Sequence, residues 1–208
     1  MLKRVFMAVA LLALPLLASA DDYVAGKDYQ VVTTPGGTES KPGQIEVREF
    51  FWYGCPHCFR LDPFLSKWLS AKPADVNFIR TPGAMNPTWE IAARAYYVAE
   101  IRGVAEKAHG SLFQSIHTAG KTDILNSPDG FAHFYSAYGV SAADFNSLYN
   151  SFIVGGKIAK SKVLANQYRL EGVPALVIDG KYVVQGENQK AIDVMNYLVA
   201  KERAAKKK

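Results

Sequence analysis

The alternation of apolar and polar positions predicts two strands and a helix in the first half of the chain. Ile45 to Phe51 places every second side chain on one face, which predicts a buried strand. A helix is predicted from Cys55 to about Ser70, because Pro56 suits a first helical turn. A second strand is predicted over Val76 to Ile79. Together these elements form a β-α-β unit.

A long helical segment follows, from Met85 to about Glu171. Asn86-Pro87 and Ser127-Pro128 each pair a capping residue with a proline in the first turn, and this combination is a signal for the start of a helix. Gly155-Gly156 interrupts the apolar pattern. We therefore expect an amphipathic stretch after Ser141 to run through Phe152 and another helix to run over residues 157–170.

The C-terminal part returns to strand patterns. Pro174 to Ile178 is predicted to be a strand. Asp179-Gly180 is a two-residue hairpin signal, and it leads into a second strand over Lys181 to Val184. A last helix is predicted from about Asn188. A β-α-β unit, a block of helices and a β-β-α unit are the element order of a thioredoxin-type core with a helical insertion.

This order predicts an α/β chain with a thioredoxin-like fold and an inserted all-helical domain. Its strand pairing is inferred by analogy, because periodicity fixes only the order of the elements. The expected divisions are residues 1–20 for a signal peptide, 21–82 and 172–208 for the thioredoxin-like domain, and 83–171 for the helical domain.

The first twenty residues have the composition of a secretory signal peptide. Lys3 and Arg4 precede an apolar run from Val5 to Leu17, and the small residues Ala18-Ser19-Ala20 follow it. The run is too short to span a bilayer. We expect cleavage after Ala20 and a periplasmic location, with an uncleaved anchor as the alternative.

The formal net charge of +5 is concentrated at the C-terminus. Residues 201–208 hold five basic residues and one acidic residue, and so carry a charge of +4. A short basic tail is more typical of a solvated helix end than of a surface that binds nucleic acid. We therefore expect no nucleic-acid partner.

The chain has two cysteines, Cys55 and Cys58, placed at the predicted start of a helix. A disulfide that closes so short a loop constrains little of the unfolded chain, which favours a chemical role over a structural one. The unpaired N–H groups and the positive dipole end of the helix favour a thiolate at Cys55.

A structural clip and half of a metal site are the alternative interpretations of the cysteine pair. A tetrahedral metal site would need two more ligands at suitable spacing, and His57 is the one nearby candidate. The other histidines, His109, His117 and His133, are scattered through the helical segment. We therefore expect no metal, and no soluble cofactor, because a cysteine pair can itself carry two electrons.

The segment Phe50 to Cys58, with its Cys-Pro-His-Cys sequence, resembles the active site of the DsbA family of thiol:disulfide oxidoreductases. Gly172 to Ala175 and Asp179 to Tyr182 resemble later segments of the same family, and the helical block lies between them as the family's helical domain does. The resemblance implies an enzyme that donates its disulfide to unfolded exported proteins with free thiols. It also implies reoxidation by a DsbB-like inner-membrane quinone reductase.

Four further residues have roles that the motif suggests. Pro56 belongs to the dipeptide between the cysteines, and the ring of His57 could donate a hydrogen bond to the Cys55 thiolate or add a positive charge beside it. The resemblance implies a cis Pro174 opposite the cysteines, which would leave the backbone of Val173 free to pair with an extended substrate. A proline that merely begins an edge strand is the alternative.

Glu49 is the unexpected residue of its strand, because it shares a face with Ile45, Val47 and Phe51. A buried carboxylate is costly and has a raised pKa, so Glu49 could relay a proton to Cys58. A buried acid occupies the corresponding place in the DsbA family, and some members place a lysine opposite it. Val76 to Ile79 contains no lysine. A solvated strand end is the alternative environment for Glu49.

Two other functions remain open at this stage. The first is a disulfide isomerase, a reductant or a family paralogue with a narrow substrate range. Isomerases of this superfamily carry an N-terminal dimerisation domain, and only about 24 residues separate the expected cleavage site from Ile45. We therefore expect a monomer. The second is a periplasmic metal-binding or peptide-binding chaperone without redox turnover.

Overall fold

The computed structural model describes residues 23–206, so the expected signal peptide and its cleavage site lie outside the described residues. The five strands are β1 (Gln30–Val31), β2 (Ile45–Phe51), β3 (Val76–Pro82), β4 (Ala175–Ile178) and β5 (Tyr182–Gln185). The seven α-helices are α1 (Pro56–Ser70), α2 (Pro87–Ile101), α3 (Ala105–His117), α4 (Pro128–Ser136), α5 (Ala142–Tyr149), α6 (Phe152–Gln167) and α7 (Gln189–Lys206). A short 3₁₀ helix (Thr122–Asn126) precedes α4.

The strands form one mixed sheet in the order β1-β5-β4-β2-β3. Strand β2 pairs in parallel with β3 and antiparallel with β4, so it lies inside the sheet, and all of its residues are buried. The register sets Glu49 directly opposite Arg80 of β3 and opposite Leu176 of β4. The cysteine segment therefore follows the end of a strand that lies inside the sheet.

Helices cover both faces of the sheet. On one face the apolar side chains of β2 and β4 pack against α1 and α7, through residues such as Leu61, Leu65, Met195 and Leu198. On the other face Phe50 and Val177 pack against Ala165 of α6 and Tyr168, which follows that helix. A third cluster joins Phe51 and the two cysteines to the helical block. Because the cysteines belong to this third cluster, the block directly shapes their surroundings.

The two-residue hairpin predicted at Asp179-Gly180 is present. Both residues have positive φ angles, 49° and 67°, as a tight hairpin turn requires. A Cβ atom at Gly180 would lie 2.5 Å from the carbonyl oxygen of Gly36, so only glycine fits at this position. The turn holds β4 and β5 together and so fixes the strand that follows Pro174.

The largest differences from the predicted element bounds concern β3 and α6, and the bounds of β4 and β5 differ by one residue. Strand β3 continues past Ile79 to Pro82, because it pairs along the full length of β2. Helix α6 begins after the N-cap Ser151 and passes through Gly155-Gly156 without a break. Two glycines cost a helix about 1 kcal/mol each, and burial of residues such as Val154 and Ile158 outweighs that cost.

The division into a thioredoxin-like domain and a helical domain stays a prediction, although helices α2 to α6 do lie between β3 and β4 in the chain. Across residues 23–206, no helix is both long enough and apolar enough to be a membrane span.

Candidate active site

The cysteine pair lies at the start of α1, shortly after the end of β2. Cys55 is the N-cap of α1, Pro56 is its first residue, and Cys55 Sγ accepts a hydrogen bond from the backbone N–H of Cys58 at 3.4 Å. Both thiols are free. Cys55 keeps 6% of its surface exposed and Cys58 none, so Cys55 is the sulfur that a second molecule can reach.

The surroundings push the pKa values of the two thiols in opposite directions. A hydrogen bond with the Cys58 side chain, helped by the backbone N–H groups of Cys58 and His57 and by the charge of His57, lowers the pKa of Cys55 to about 6 against the opposing effect of burial. Burial, followed by the hydrogen bond and charge of Cys55, raises the pKa of Cys58 far above its usual range. At neutral pH the reduced pair therefore holds one thiolate, at Cys55, and one thiol.

The ring of His57 is held by a residue that the sequence did not suggest. Its Nδ1 lies 2.5 Å from Oε2 of Glu187, which belongs to the segment between β5 and α7, and Arg60 Nη2 lies 2.7 Å from both groups. We expected the ring to donate a hydrogen bond to the Cys55 sulfur or to add a positive charge beside it, and its charge is among the causes that lower the Cys55 pKa. The ring itself meets a carboxylate, and the hydrogen bond that most lowers the Cys55 pKa comes from Cys58.

Replacing His57 with serine should raise the pKa of Cys55, because a nearby positive charge is lost, whereas Glu187→Gln should lower it. The carboxylate of Glu187 neutralises the charges of His57 and Arg60, so its removal leaves more positive charge beside the thiolate. Both shifts should be about half a pKa unit, since these groups are well exposed and screened. The ultraviolet absorbance of the thiolate as a function of pH measures them.

Asp144→Asn is the matched control, because it removes one exposed, salt-bridged carboxylate within the helical block. Shifts of the same sign for His57→Ser and Glu187→Gln would contradict the electrostatic account.

Val173 and Pro174 lie against the cysteines, joined by the cis peptide bond that the resemblance implied. The Cys55 thiol lies 3.3 Å from the carbonyl oxygen of Val173. Beside it is a groove of about 260 Å³ lined by His57, Gly172, Val173, Pro174, Gln185, Gly186 and Glu187. The more exposed sulfur thus lies beside this groove, in contact with Val173, one of its lining residues.

Glu49 is completely buried, so a solvated strand end is the wrong description of its environment. Its Oε2 accepts a hydrogen bond from Arg80 Nε at 3.0 Å. The strand was predicted to end at Ile79, so Arg80 was not recognised as a partner of Glu49. Burial raises the pKa of Glu49 to about 7, while Arg80 acts in the opposite direction.

Arg80 forms a second ion pair, with a residue of the helical block. Arg80 Nη1 donates to Glu106 at 2.5 Å, and Glu106 is largely exposed. His109 of α3 lies between Asp62 of α1 and the hydroxyl of Tyr53. Burial raises the pKa of Asp62 and lowers that of His109 well below its usual value. These residues are distant in sequence, so no local signal pointed to them.

Two tryptophans flank the cysteine segment. Trp52 stacks on Trp89 of α2 with ring centroids 4.8 Å apart and planes within 10° of parallel. A Cβ atom at Gly54 would lie 2.4 Å from the Trp52 ring, so glycine is required between this stack and Cys55. The spacing of the Phe51-to-Cys55 segment is therefore fixed by aromatic packing.

Between residues 23 and 206, no group of three or more His, Cys, Asp or Glu side chains is arranged to hold a metal ion. The expectation that the chain works without a metal or soluble cofactor stays a prediction.

A family model described as a DSBA-like thioredoxin domain matches residues 75–197. The thiol:disulfide interchange protein DsbA of Pseudomonas aeruginosa PAO1 is 40% identical over 197 residues, which cover 93% of this chain and 92% of the relative. The chain belongs to the DsbA family. It is therefore a thiol:disulfide oxidoreductase, which confirms the activity class expected from the cysteine motif.

Other relatives and solved structures support the assignment to the DsbA family. DsbA of Pseudomonas syringae pv. tomato is 36% identical and covers 99% of both chains. The crystal structure of Pseudomonas aeruginosa DsbA superposes with a TM-score of 0.83 at 39% identity, over 91% of this chain and 99% of that one. DsbA from Xylella fastidiosa gives a TM-score of 0.82 at 35% identity, over 88% and 98%. The thioredoxin-like fold with its additional helices is thereby confirmed.

Proposed function

We propose that this DsbA-family chain is an oxidant that donates a Cys55–Cys58 disulfide to newly exported proteins in the periplasm. The observation that carries the proposal is the opposite shift of the two thiol pKa values, with Cys55 lowered to about 6 and Cys58 raised. A thiolate exists only in the reduced pair, so whatever favours it also favours reduction of the disulfide.

The size of this effect follows from linkage. With a pKa of about 6 in the folded chain and about 8.5 for a free cysteine, the Cys55 thiolate stabilises the reduced form by about 1.4 kcal/mol at pH 7. Since the folded pKa is depressed, the gain is lost as the pH falls through 6. For a two-electron couple, it makes the disulfide more oxidising by about 30 mV.

The reaction begins with an extended substrate segment in the groove beside Val173 and Pro174, where strand addition would position it. A substrate thiolate attacks Cys55 Sγ, forming a mixed disulfide, and the electron pair of the broken bond passes to Cys58. Cys58 takes up a proton, for which Glu49 is the candidate donor. A second substrate thiolate then attacks the substrate sulfur of the mixed disulfide. A disulfide forms within the substrate, and Cys55 leaves as a thiolate. Two electrons have moved to the cysteine pair, and no cofactor is required.

Each residue of the motif has a distinct part in this proposal. Cys55 is the sulfur that is attacked and a good leaving group, since its thiolate is stable. Pro56 begins the helix and His57 adds a positive charge near Cys55. We propose that a DsbB-like inner-membrane quinone reductase restores the disulfide, and that the chain acts as a monomer.

The decisive experiment mixes the oxidised mature chain with a reduced, unfolded protein and follows disulfide formation in that protein. We expect rapid, stoichiometric transfer and a reduction potential in glutathione buffer above that of protein disulfide isomerase, about −180 mV. A potential below about −240 mV, near or beneath that of a glutathione pool, would instead identify a reductant. Faster rearrangement of a scrambled disulfide protein than oxidation of a reduced one would identify an isomerase.

A further inference from the structure

Four polar side chains from four different elements interact in the core, and one of them, Glu49, also acts electrostatically on Cys58: Glu49 of β2, Asp62 of α1, Arg80 of β3 and His109 of α3. We call this group the carboxyl cluster. Glu49 and His109 are 0% and 3% exposed, whereas the side chain of Asp62 is 14% exposed. Asp62 is therefore the carboxyl through which the cluster reaches solvent.

Three atoms of the cluster have unused hydrogen-bonding capacity. Glu49 Oε1, Asp62 Oδ1 and His109 Nε2 are buried and make no hydrogen bond to any residue in the range 23–206. His109 Nε2 and Asp62 Oδ1 face each other at 3.5 Å, the outer limit of such a bond. Buried polar atoms are nearly always satisfied, so three together indicate a site at which a proton is held or passed on.

The surroundings of His109 determine which ring nitrogen carries the proton. Burial keeps the ring neutral, so one nitrogen donates and the other accepts. A lone pair on Nε2 would face the lone pairs of the Asp62 carboxylate and be repelled. Beside an ionised Asp62 the ring therefore carries its proton on Nε2, and the Tyr53 hydroxyl, 3.0 Å from Nδ1, donates to that nitrogen.

The two carboxyls of the cluster influence each other's ionisation. Burial raises the pKa of both Glu49 and Asp62, and the negative charge of Asp62 raises that of Glu49 further. Arg80 favours ionisation of both, but its guanidinium bonds to Glu49 and Glu106. Like-charged neighbours in so little solvent titrate in two separate steps, with one proton shared between them in the interval.

We propose that His109 is a positioning residue that directs this shared proton to Glu49. Its Nε2–H group favours an ionised Asp62, which leaves the proton on the carboxyl that acts electrostatically on Cys58. This inference rests on the proposed oxidase cycle. When the Cys55–Cys58 bond breaks, the electron pair passes to Cys58 Sγ, Glu49 transfers its proton to that sulfur, and Arg80 stabilises the resulting carboxylate. A proton from solvent, entering through Asp62, restores the starting state.

Other titratable groups also face the cluster and must be considered in any pH-dependent experiment. Burial raises the pKa of the tyrosines, so they remain neutral near pH 7, and Glu106 is mostly exposed. The titratable groups that face the carboxyl cluster are Tyr53, Tyr96 of α2, Glu106 of α3, Tyr135 of α4 and Cys58 of α1.

The test is a carbon-13 NMR titration of the Glu49 and Asp62 carboxyls in the reduced chain. In the unmodified chain, the step at higher pH should appear at Glu49. His109→Asn keeps a polar group near Nδ1, for Tyr53, but has none near Nε2. In this variant the pKa of Asp62 should rise and that of Glu49 should fall, each by about one unit. His109→Gln, which restores a donor near Nε2, should titrate like the unmodified chain.

Tyr53→Phe provides a second route that leaves His109 in place. Without the Tyr53 hydroxyl, Nδ1 loses the donor that supports the Nε2–H form while Nε2 still faces Asp62, so the same opposite shifts should appear but be smaller than in His109→Asn. His117→Asn is the matched control, because this histidine lies on the same helix and donates from Nε2 to the Tyr53 carbonyl oxygen at 2.8 Å rather than to a carboxylate. It should leave both carboxyl pKa values unchanged.

The proposal is overturned if the step at higher pH belongs to Asp62 in the unmodified chain. It is also overturned if His109→Asn and His109→Gln give the same titration, or if the two carboxyl pKa values move in the same direction. A structural role of His109 alone would not exchange the proton between two carboxyls. Because the titration needs no substrate, its result is independent of whether the chain proves to be an oxidant.

Discussion

Replacing Cys58 with alanine should reduce disulfide-forming turnover to background and leave Cys55 in a persistent mixed disulfide. The pKa of Cys55, about 6, keeps its thiolate available to attack a disulfide in a second protein at neutral pH. In the unmodified chain, Cys58 can attack the resulting mixed disulfide and release the partner. Without Cys58 that step is lost, so the adduct should accumulate and be visible by non-reducing electrophoresis and intact-mass measurement.

Cys55→Ala is the matched control, because it leaves Cys58 as the single thiol. Cys58 has no exposed surface and a strongly raised pKa, so this variant should form almost no adduct. Equal amounts of adduct in the Cys58→Ala and Cys55→Ala variants would show that burial does not set the order of reactivity of the two cysteines.

Arg80→Met should destabilise the reduced chain by roughly 3–5 kcal/mol at pH 8, because it leaves the Glu49 carboxylate buried without its partner. Arg80 lowers the pKa of Glu49, so removing it raises that pKa above the present value of about 7. A carboxyl whose pKa is higher in the folded chain than in the unfolded chain stabilises the fold fully below the unfolded pKa, about 4.3. This stabilisation is lost as the pH rises through the pKa of the folded chain. The loss should therefore be smaller at pH 5 than at pH 8.

Chemical denaturation at the two pH values measures this difference. Glu49→Gln combined with Arg80→Met should recover much of the stability, since neither charge then remains in the core. Glu106→Gln, which removes the exposed partner of Arg80, should cost no more than about 1 kcal/mol. A pH-independent loss in Arg80→Met would mean that packing of the arginine side chain, rather than compensation of Glu49, is what the substitution removes.

Carboxyls in the core have a consequence for the oxidase cycle. The Cys58 sulfur is shielded from solvent, so a proton cannot reach it directly when the disulfide opens. Glu49, with a pKa of about 7, is suited both to give up and to regain a proton near neutral pH. We propose that Arg80 and His109 assist proton transfer to Cys58 in this DsbA-family chain. His57 and Glu187 instead adjust the charge beside the Cys55 thiolate.

Local chain properties explain why the cysteine site could be predicted from the sequence. A strand followed by Gly-Cys-Pro fixes a helix start, and the helix start places Cys55 at the N-terminal end whatever the rest of the fold does. The Asp179-Gly180 turn is likewise decided by two neighbouring backbone conformations. The family resemblance added the cis proline, which no periodicity could have indicated.

Contacts between distant segments decided the rest. Arg80 follows Ile79 in a run that ends in a proline, so the apolar pattern stops there, and only pairing with the full length of β2 extends the strand and sets Arg80 opposite Glu49. Glu187 reaches His57 across 130 positions of the chain. His109 is one of three scattered histidines in the sequence, and packing of α3 against α1 brings it to Asp62. The sequence determined which sulfur caps the helix, because that depends on local backbone geometry. The tertiary structure alone decided which charged groups surround the two sulfurs, because charges in a core interact through space and not along the chain.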